Sequence, residues 1–323
     1  MTTECSRTLA YAIEDSATDA YIDLAQSLSF TNRKLYRQGR CYYIQKIQWM
    51  SGNSLTGGSL ASKLTLNTLP MGWVVRNSWV KAFALWKQMN KSVLSDNPSV
   101  QGKWADFKVF FDVNHANGDW GSAGPTLNLK PFTGDQDGAQ FINDGEWYMS
   151  DYVTPQHDVV QATGVEAPAD KFKCHMLGAD IPDPADATEF KSVGIVNGYQ
   201  DTRARVQIAP DVPATMSTNW MTQLTDEGGQ DPELADVIED ANDAPPYDLD
   251  EYPGGATNWN KGVIQTTMLA TATNQVDKDI GFCVPLGLLK VTRTLINNTN
   301  GGVLLITVAP GNYHGVMATE MKQ

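Results

Sequence analysis

Polar and apolar residues in this chain alternate over many short stretches, with turn residues between them. The stretches are Ala20–Phe30, Cys41–Met50, Ser62–Leu69, Trp104–Val113, Glu146–Val153, Lys171–Leu177, Ser192–Val196, Thr202–Ile208, Val263–Thr271, Gly287–Leu295 and Val303–Val308. Each is bounded by Gly, Pro, Asn or Asp, so each predicts a strand. Cys41–Met50 alternates for part of its length, as a half-buried strand does. Val303–Val308 is apolar nearly throughout, which predicts burial on both faces. One stretch has the helical period instead. Trp79, Phe83, Trp86 and Asn90 share a face that Val93 continues, and Lys81, Lys87 and Lys91 take the remaining surface. Asn77 or Ser78 is the expected cap of a helix running to about Leu94. A second short helix is expected over Glu233–Asp240. No repeat of 20–50 residues is visible. Many strands with one or two inserted helices predict an all-β protein. The expected form is a single antiparallel β-sandwich, a jelly roll with long loops, over residues 1–323.

Composition agrees with that picture. A chain of 323 residues can bury a large core. Its charged share of 19% is below the usual quarter, while glycine and tryptophan are plentiful, which suits a turn-rich β protein. No run approaches the roughly 18 apolar residues of a membrane span. Met1–Asp23 lacks a basic segment followed by an apolar one, so no secretory signal is expected. Four cysteines, Cys5, Cys41, Cys174 and Cys283, form no CxxC pair. They read as buried free thiols rather than a zinc or redox motif.

Charge changes the picture more. From Leu24 to Ser95 there are ten basic residues and no acidic one. From Val206 to Asn260 there are twelve acidic residues and no basic one. The second block alone accounts for most of the formal net charge of −13. Blocks of one sign repel themselves unless something opposite faces them. In the basic block, Arg33, Lys34, Arg37, Arg40 and Lys46 are interleaved with Tyr36 and Tyr42. Cations that neutralise phosphates, beside aromatics that stack bases, are what sequence-independent single-strand binding needs. The other reading is a contact between subunits, with Asp231, Glu233, Asp236, Glu239, Asp248, Asp250 and Glu251 of the acidic, Pro-containing excursion 226–252 as the facing groups.

Catalytic patterns are absent: there is no GxSxG, HExxH, GxxxxGK[ST] or GxGxxG. His115, His157, His175 and His314 make no ligand spacing. Asp151, Glu146 with Trp147, and Asp119 with Trp120 are the carboxylates that a sugar-cleaving site would draw on. Asp135–Gly138 and Asp248–Glu251 offer oxygen ligands without the spacing of a calcium loop, so calcium is expected at most at a subunit interface. No cofactor and no catalytic activity are expected.

Several segments together carry a family resemblance. They are Ser29-Phe-Thr-Asn-Arg-Lys-Leu-Tyr-Arg-Gln-Gly-Arg40, Ser78-Trp-Val-Lys-Ala-Phe-Ala-Leu-Trp-Lys-Gln-Met89 and Trp104-Ala-Asp-Phe-Lys-Val-Phe-Phe111. Pro245-Pro-Tyr-Asp-Leu-Asp-Glu-Tyr-Pro-Gly-Gly255 and Gly281-Phe-Cys-Val-Pro-Leu-Gly-Leu-Leu289 complete the series. In this order the chain resembles capsid proteins of small circular, replication-initiator-encoding single-stranded DNA viruses, nearest to uncultured environmental members. The resemblance implies a single jelly-roll domain, self-assembly into an icosahedral shell around circular single-stranded DNA, and a place in the virion. Many such proteins begin with an Arg-rich arm. Here the N-terminus has Arg7 against Glu4, Glu14, Asp15, Asp19 and Asp23. The expected DNA contact therefore moves to Arg33 through Lys46. The runner-up is an extracellular β-sandwich that binds or hydrolyses carbohydrate through its aromatics. A filament-forming β protein is the third reading.

Overall fold

The computed structural model describes residues 5–13, 19–51, 61–100, 102, 104–118, 127–133, 140–142, 145–153, 171–183, 190–203, 252–271, 274, 276–296 and 302–321. In chain order the elements begin with β1 (Thr8–Ile13), β2 (Ala20–Asp23), α1 (Leu24–Asn32), β3 (Arg40–Ser51), β4 (Ala61–Thr68) and α2 (Trp73–Asp96). They continue with β5 (Phe110–Asp112), α3 (Val113–Gly118), β6 (Phe132–Thr133), β7 (Gln140–Phe141), β8 (Asp151–Val153), β9 (Lys171–Leu177), β10 (Ile181–Pro182), β11 (Phe190–Gly194) and α4 (Ile195–Arg203). The last are β12 (Val263–Thr271), β13 (Val276–Ile280), β14 (Cys283–Val284), β15 (Leu288–Ile296), β16 (Gly302–Val308), β17 (Pro310–Tyr313) and β18 (Ala318–Glu320).

The strands are mostly antiparallel, and two sheets dominate. One has the order β1-β16-β3-β13, with β14 and β18 flanking the start of β3; the other has the order β12-β4-β15-β2. All their pairs are antiparallel. The eight main strands, in chain order, are β1, β2, β3, β4, β12, β13, β15 and β16. The first pairs with the eighth, the second with the seventh, the third with the sixth and the fourth with the fifth. Side chains from both sheets meet in one apolar cluster. Tyr11 of β1, Trp49 of β3, Leu66 of β4, Met268 of β12, Val291 of β15 and Ile306 of β16 are all in it. A fully buried side chain of this size contributes about 1.5–3 kcal/mol, so this cluster is the main source of stability.

Local chemistry sets where elements stop. The stretch from Ala20 to Phe30 is not one strand. Asp23 Oδ1 accepts from the backbone N–H of Ala25 at 2.9 Å and of Gln26 at 3.1 Å. That cap ends β2 and starts α1. Helix α2 starts at Trp73, ahead of Asn77 and Ser78. Ser78 lies inside it, and its hydroxyl donates to the Val75 carbonyl at 2.9 Å. In β16, Leu304, Ile306 and Val308 are buried while Val303, Leu305 and Thr307 are only half covered. The strand is therefore fully buried on one face and only partly covered on the other.

Between β4 and β12 a long excursion builds a smaller sheet, β10-β11-β9-β5, with β8 also on β9. Here β11 and β5 run parallel to β9. Only Phe110–Asp112 of the stretch from Trp104 pairs as strand, and only Asp151–Val153 of the stretch from Glu146. Strand β11 ends at Gly194, and Ile195 opens α4, which takes in Thr202. A second apolar cluster seats α2, β5, β9 and α4 against Tyr21 of β2 and Leu288 of β15. The expected helix Glu233–Asp240 and the excursion from 226 to 251 lie outside the described residues.

The edges of the two main sheets are treated differently. Segment 127–133 covers β2 and β1: Tyr21 N–H donates to the Leu127 carbonyl at 3.1 Å, Leu129 N–H donates to the Tyr21 carbonyl at 2.7 Å, and Tyr11 bridges Pro131. On the opposite side no described strand covers β12 or β13. Asp277 Oδ2 accepts from Leu269 N–H at 2.8 Å, and Asp279 accepts from the Thr266 hydroxyl. Inward-pointing charges of this kind protect an edge strand from indiscriminate pairing.

Candidate functional site

The basic block converges on a cleft of about 390 Å³ at the start of β3. Arg37, Gly39 and Arg40 line one side, and Trp79, Phe83 and Lys87 of α2 line the other. Asp106 and Glu320 close it. Gly39 is needed here because a Cβ at this position would lie 2.6 Å from the Trp79 ring. The helical face read from the sequence is the aromatic wall. Trp79 and Phe83 stack with centroids 5.0 Å apart, and both pack on Phe107.

Both arginines are already engaged. Arg37 Nη1 donates to the Ala105 carbonyl at 2.8 Å and meets Asp106 Oδ1 at 3.3 Å. Arg40 Nη2 meets Glu320 Oε1 at 3.0 Å and lies over the Tyr313 ring at 3.9 Å. Asp106 Oδ2 also accepts from Gln38 N–H at 3.0 Å. Burial raises the Asp106 carboxyl above its ordinary value, against the pull of that hydrogen bond and of Lys108 and Arg37. Lys87 Nζ sits 4.8 Å from the centre of the Phe83 ring. The lining thus holds three cations against two carboxylates, and it is far less cationic than the sequence block suggests.

The remaining sequence-chosen residues fall elsewhere. Arg33 is exposed in the left-handed position that ends α1. Lys34 is half-buried, and its charge, with that of Arg40, adds to burial in lowering the pKa of His314. Lys46 is exposed on β3, opposite Ile280 and Thr307. Tyr36 and Tyr42 do not offer faces for bases, because both are wholly buried. The Tyr36 hydroxyl donates to the His314 carbonyl at 2.9 Å, and that of Tyr42 donates to the Arg37 carbonyl at 2.7 Å. The acidic residues Asp231, Glu233, Asp236, Glu239, Asp248, Asp250 and Glu251 lie outside the described residues. Asp106 and Glu320, which do face the arginines, belong to neither charge block. Sequence reading had no signal for them beyond their charge.

No family model, no curated protein and no solved structure matches this chain.

The other candidate chemistry divides in the same way. Asp151 meets Lys171 at 3.0 Å and Lys173 at 3.7 Å, a cross-strand charge cluster and not a carboxylate pair. Glu146 is exposed, while Trp147 is buried beneath Lys108, whose Nζ is 4.6 Å from the ring centre. Asp119, Trp120, His157 and the segments Asp135–Gly138 and Asp248–Glu251 lie outside the described residues. His115 stacks on Tyr21 with centroids 4.1 Å apart. His175 is held between the Ser192 hydroxyl at 2.8 Å and the Ala179 carbonyl at 3.1 Å, and burial lowers its pKa. Both are built into the packing of the smaller sheet. Among the described residues no three His, Cys, Asp or Glu side chains group as metal ligands.

Proposed function

We propose that this chain is a capsid protein, a jelly roll that assembles with copies of itself into a closed shell around a circular single-stranded DNA genome. The observation that carries this reading is the nested pairing of the eight main strands. A chain folded as one long hairpin, with rungs first-to-eighth through fourth-to-fifth, and then rolled into two facing sheets, has jelly-roll topology. Viral capsid and lectin domains use this architecture. Fold by itself does not assign function. What favours a shell over a lectin is the surface. On the uncovered β12 and β13, Ile264 is 64% and Ile280 is 84% exposed, and Leu269 and Val276 are also exposed. Exposed apolar side chains along two uncovered edge strands suit contact with another copy. The mechanism is assembly, with no turnover.

The charge pattern supports an assignment of roles within that shell. Arg37 and Arg40 hold the cleft together through Asp106 and Glu320. Phosphate contact falls to Arg33, Lys34 and Lys46, which form no ion pair among the described residues. The acidic residues from Asp231 to Glu251 are proposed to meet neighbouring copies. Light scattering and electron microscopy of the purified protein test the reading across concentration and ionic strength. Closed particles are expected. A species of 35.4 kDa under every condition would overturn it.

A further inference from the structure

Three sulfur atoms distant in sequence come together at the start of β3. Strand β14 lies on one side of β3, with Cys283 opposite Tyr43, and β18 lies on the other, with Thr319 opposite Cys41. Met321 follows β18 directly. Cys41 Sγ is 3.4 Å from Met321 Sδ, and Cys283, diagonal to Cys41 across the β3–β14 pair, packs against the same apolar cluster. The chain has no short Cys spacing, so only the sheet makes this cluster. A cleft of about 270 Å³ opens on Cys41 and Met321, lined also by Tyr43, Met71 and Arg76. Met71 is largely exposed, which leaves a further thioether beside the sulfur cluster.

We propose that Cys41, Cys283 and Met321 form a three-sulfur site for one soft monovalent metal ion, Cu(I). Three sulfur ligands spread evenly around a metal at about 2.3 Å lie about 4.0 Å from one another. The Cys41–Met321 separation of 3.4 Å must open by roughly half an ångström to fit. Thiolate with thioether is the ligand set that selects Cu(I). Structural zinc takes four ligands from Cys, His and carboxylate, and the nearest carboxylate in the cleft, Glu320, is engaged by Arg40. Binding releases one proton from each thiol to solvent and leaves the metal's oxidation state unchanged. Two thiolates with one Cu(I) carry a single negative charge, and Arg76 in the cleft wall faces it. The site is independent of the assembly reading.

The test uses the full-length chain, reduced and without oxygen, titrated with Cu(I) against the chromogenic chelator bathocuproine disulfonate. One Cu(I) per chain is expected to be withheld from the chelator, and X-ray absorption is expected to give a first shell of sulfur only. Cys283→Ser should release the ion. Met321→Leu, which keeps the side-chain volume, should weaken retention tenfold or more with an unchanged thermal midpoint. The double variant Cys5→Ser, Cys174→Ser should retain it. Wild-type protein that withholds no Cu(I), a nitrogen or oxygen first shell, or equal retention by Cys283→Ser would each overturn the proposal.

Discussion

Asp23 shows how much one side chain can carry. It caps α1, and its second oxygen accepts from Gln38 Nε2 at 3.0 Å. Gln38 in turn exchanges hydrogen bonds with the backbone of Val109, at 2.7 and 3.1 Å. One buried carboxylate therefore ties β2, the entry to β3 and the strand leading into β5. Burial pushes its pKa from 3.8 up to about 7, against hydrogen bonds from Gln26, Gln38 and Ala25 that favour the charged form. Between those values the folded chain binds more protons than the unfolded one, so stability falls as pH rises. The contribution is complete below about pH 4 and is lost as pH passes through 7, up to about 4 kcal/mol in all. Urea unfolding midpoints measured from pH 4 to 8 should show this decline. Asp23→Asn, which keeps a capping oxygen, should flatten it.

At the scale of elements, Lys290 fastens the smaller sheet to the sandwich. It is almost wholly buried on β15, with Nζ 2.9 Å from Asp112 and 2.8 Å from Asp19. Asp112 also accepts from the Tyr21 hydroxyl at 2.6 Å and from His115 N–H at 2.9 Å. Burial alone would lower the Lys290 pKa, yet the two aspartates outweigh it and raise it. Removing one partner of such a group leaves a buried charge uncompensated, which costs about 3–5 kcal/mol. Lys290→Ala should destabilise by that amount in chemical denaturation. Elements themselves were legible in the sequence where alternation was clean, as in Lys171–Leu177 and Val263–Thr271, which form strands with those bounds. They were not legible where a cap overrode the pattern at Asp23. Nor can alternation distinguish parallel from antiparallel partners, so the β5-β9-β11 pairings were hidden. In β3 a bulge near Gln45 shifts the inward set from Tyr42 and Ile44 to Ile47 and Trp49. That change of phase turns Lys46 outward, and a fixed period would misplace it.

For the whole molecule, two variants test the proposed shell at separate places. Ile280→Lys puts a charge on the most exposed apolar side chain of β13, away from the core. It should abolish particles in electron microscopy while leaving the monomer's thermal midpoint nearly unchanged, since surface substitutions usually shift stability by under about 0.5 kcal/mol. Particles formed by this variant at wild-type yield would remove that edge from the assembly contacts. Combined Arg33→Gln, Lys34→Gln and Lys46→Gln should lower the nucleic-acid content of the particles, read from the ratio of absorbance at 260 to 280 nm, without dissolving them. The salt dependence of DNA binding should weaken as well, because fewer phosphates are neutralised. Unchanged DNA content would move phosphate contact away from these residues.

The sequence by itself determined the β-rich class, the aromatic face of α2 and the sorting of charge. These follow from periodicity and composition, which act between near neighbours in the chain. Only the tertiary structure decided what each side chain faces. It turned Tyr36 and Tyr42 into the core, supplied Asp106 and Glu320 to the arginines from outside both charge blocks, and brought Cys41, Cys283 and Met321 together. Each of those outcomes depends on which strands lie side by side. That pairing is fixed by the summed burial of the two apolar clusters, not by any local pattern of residues.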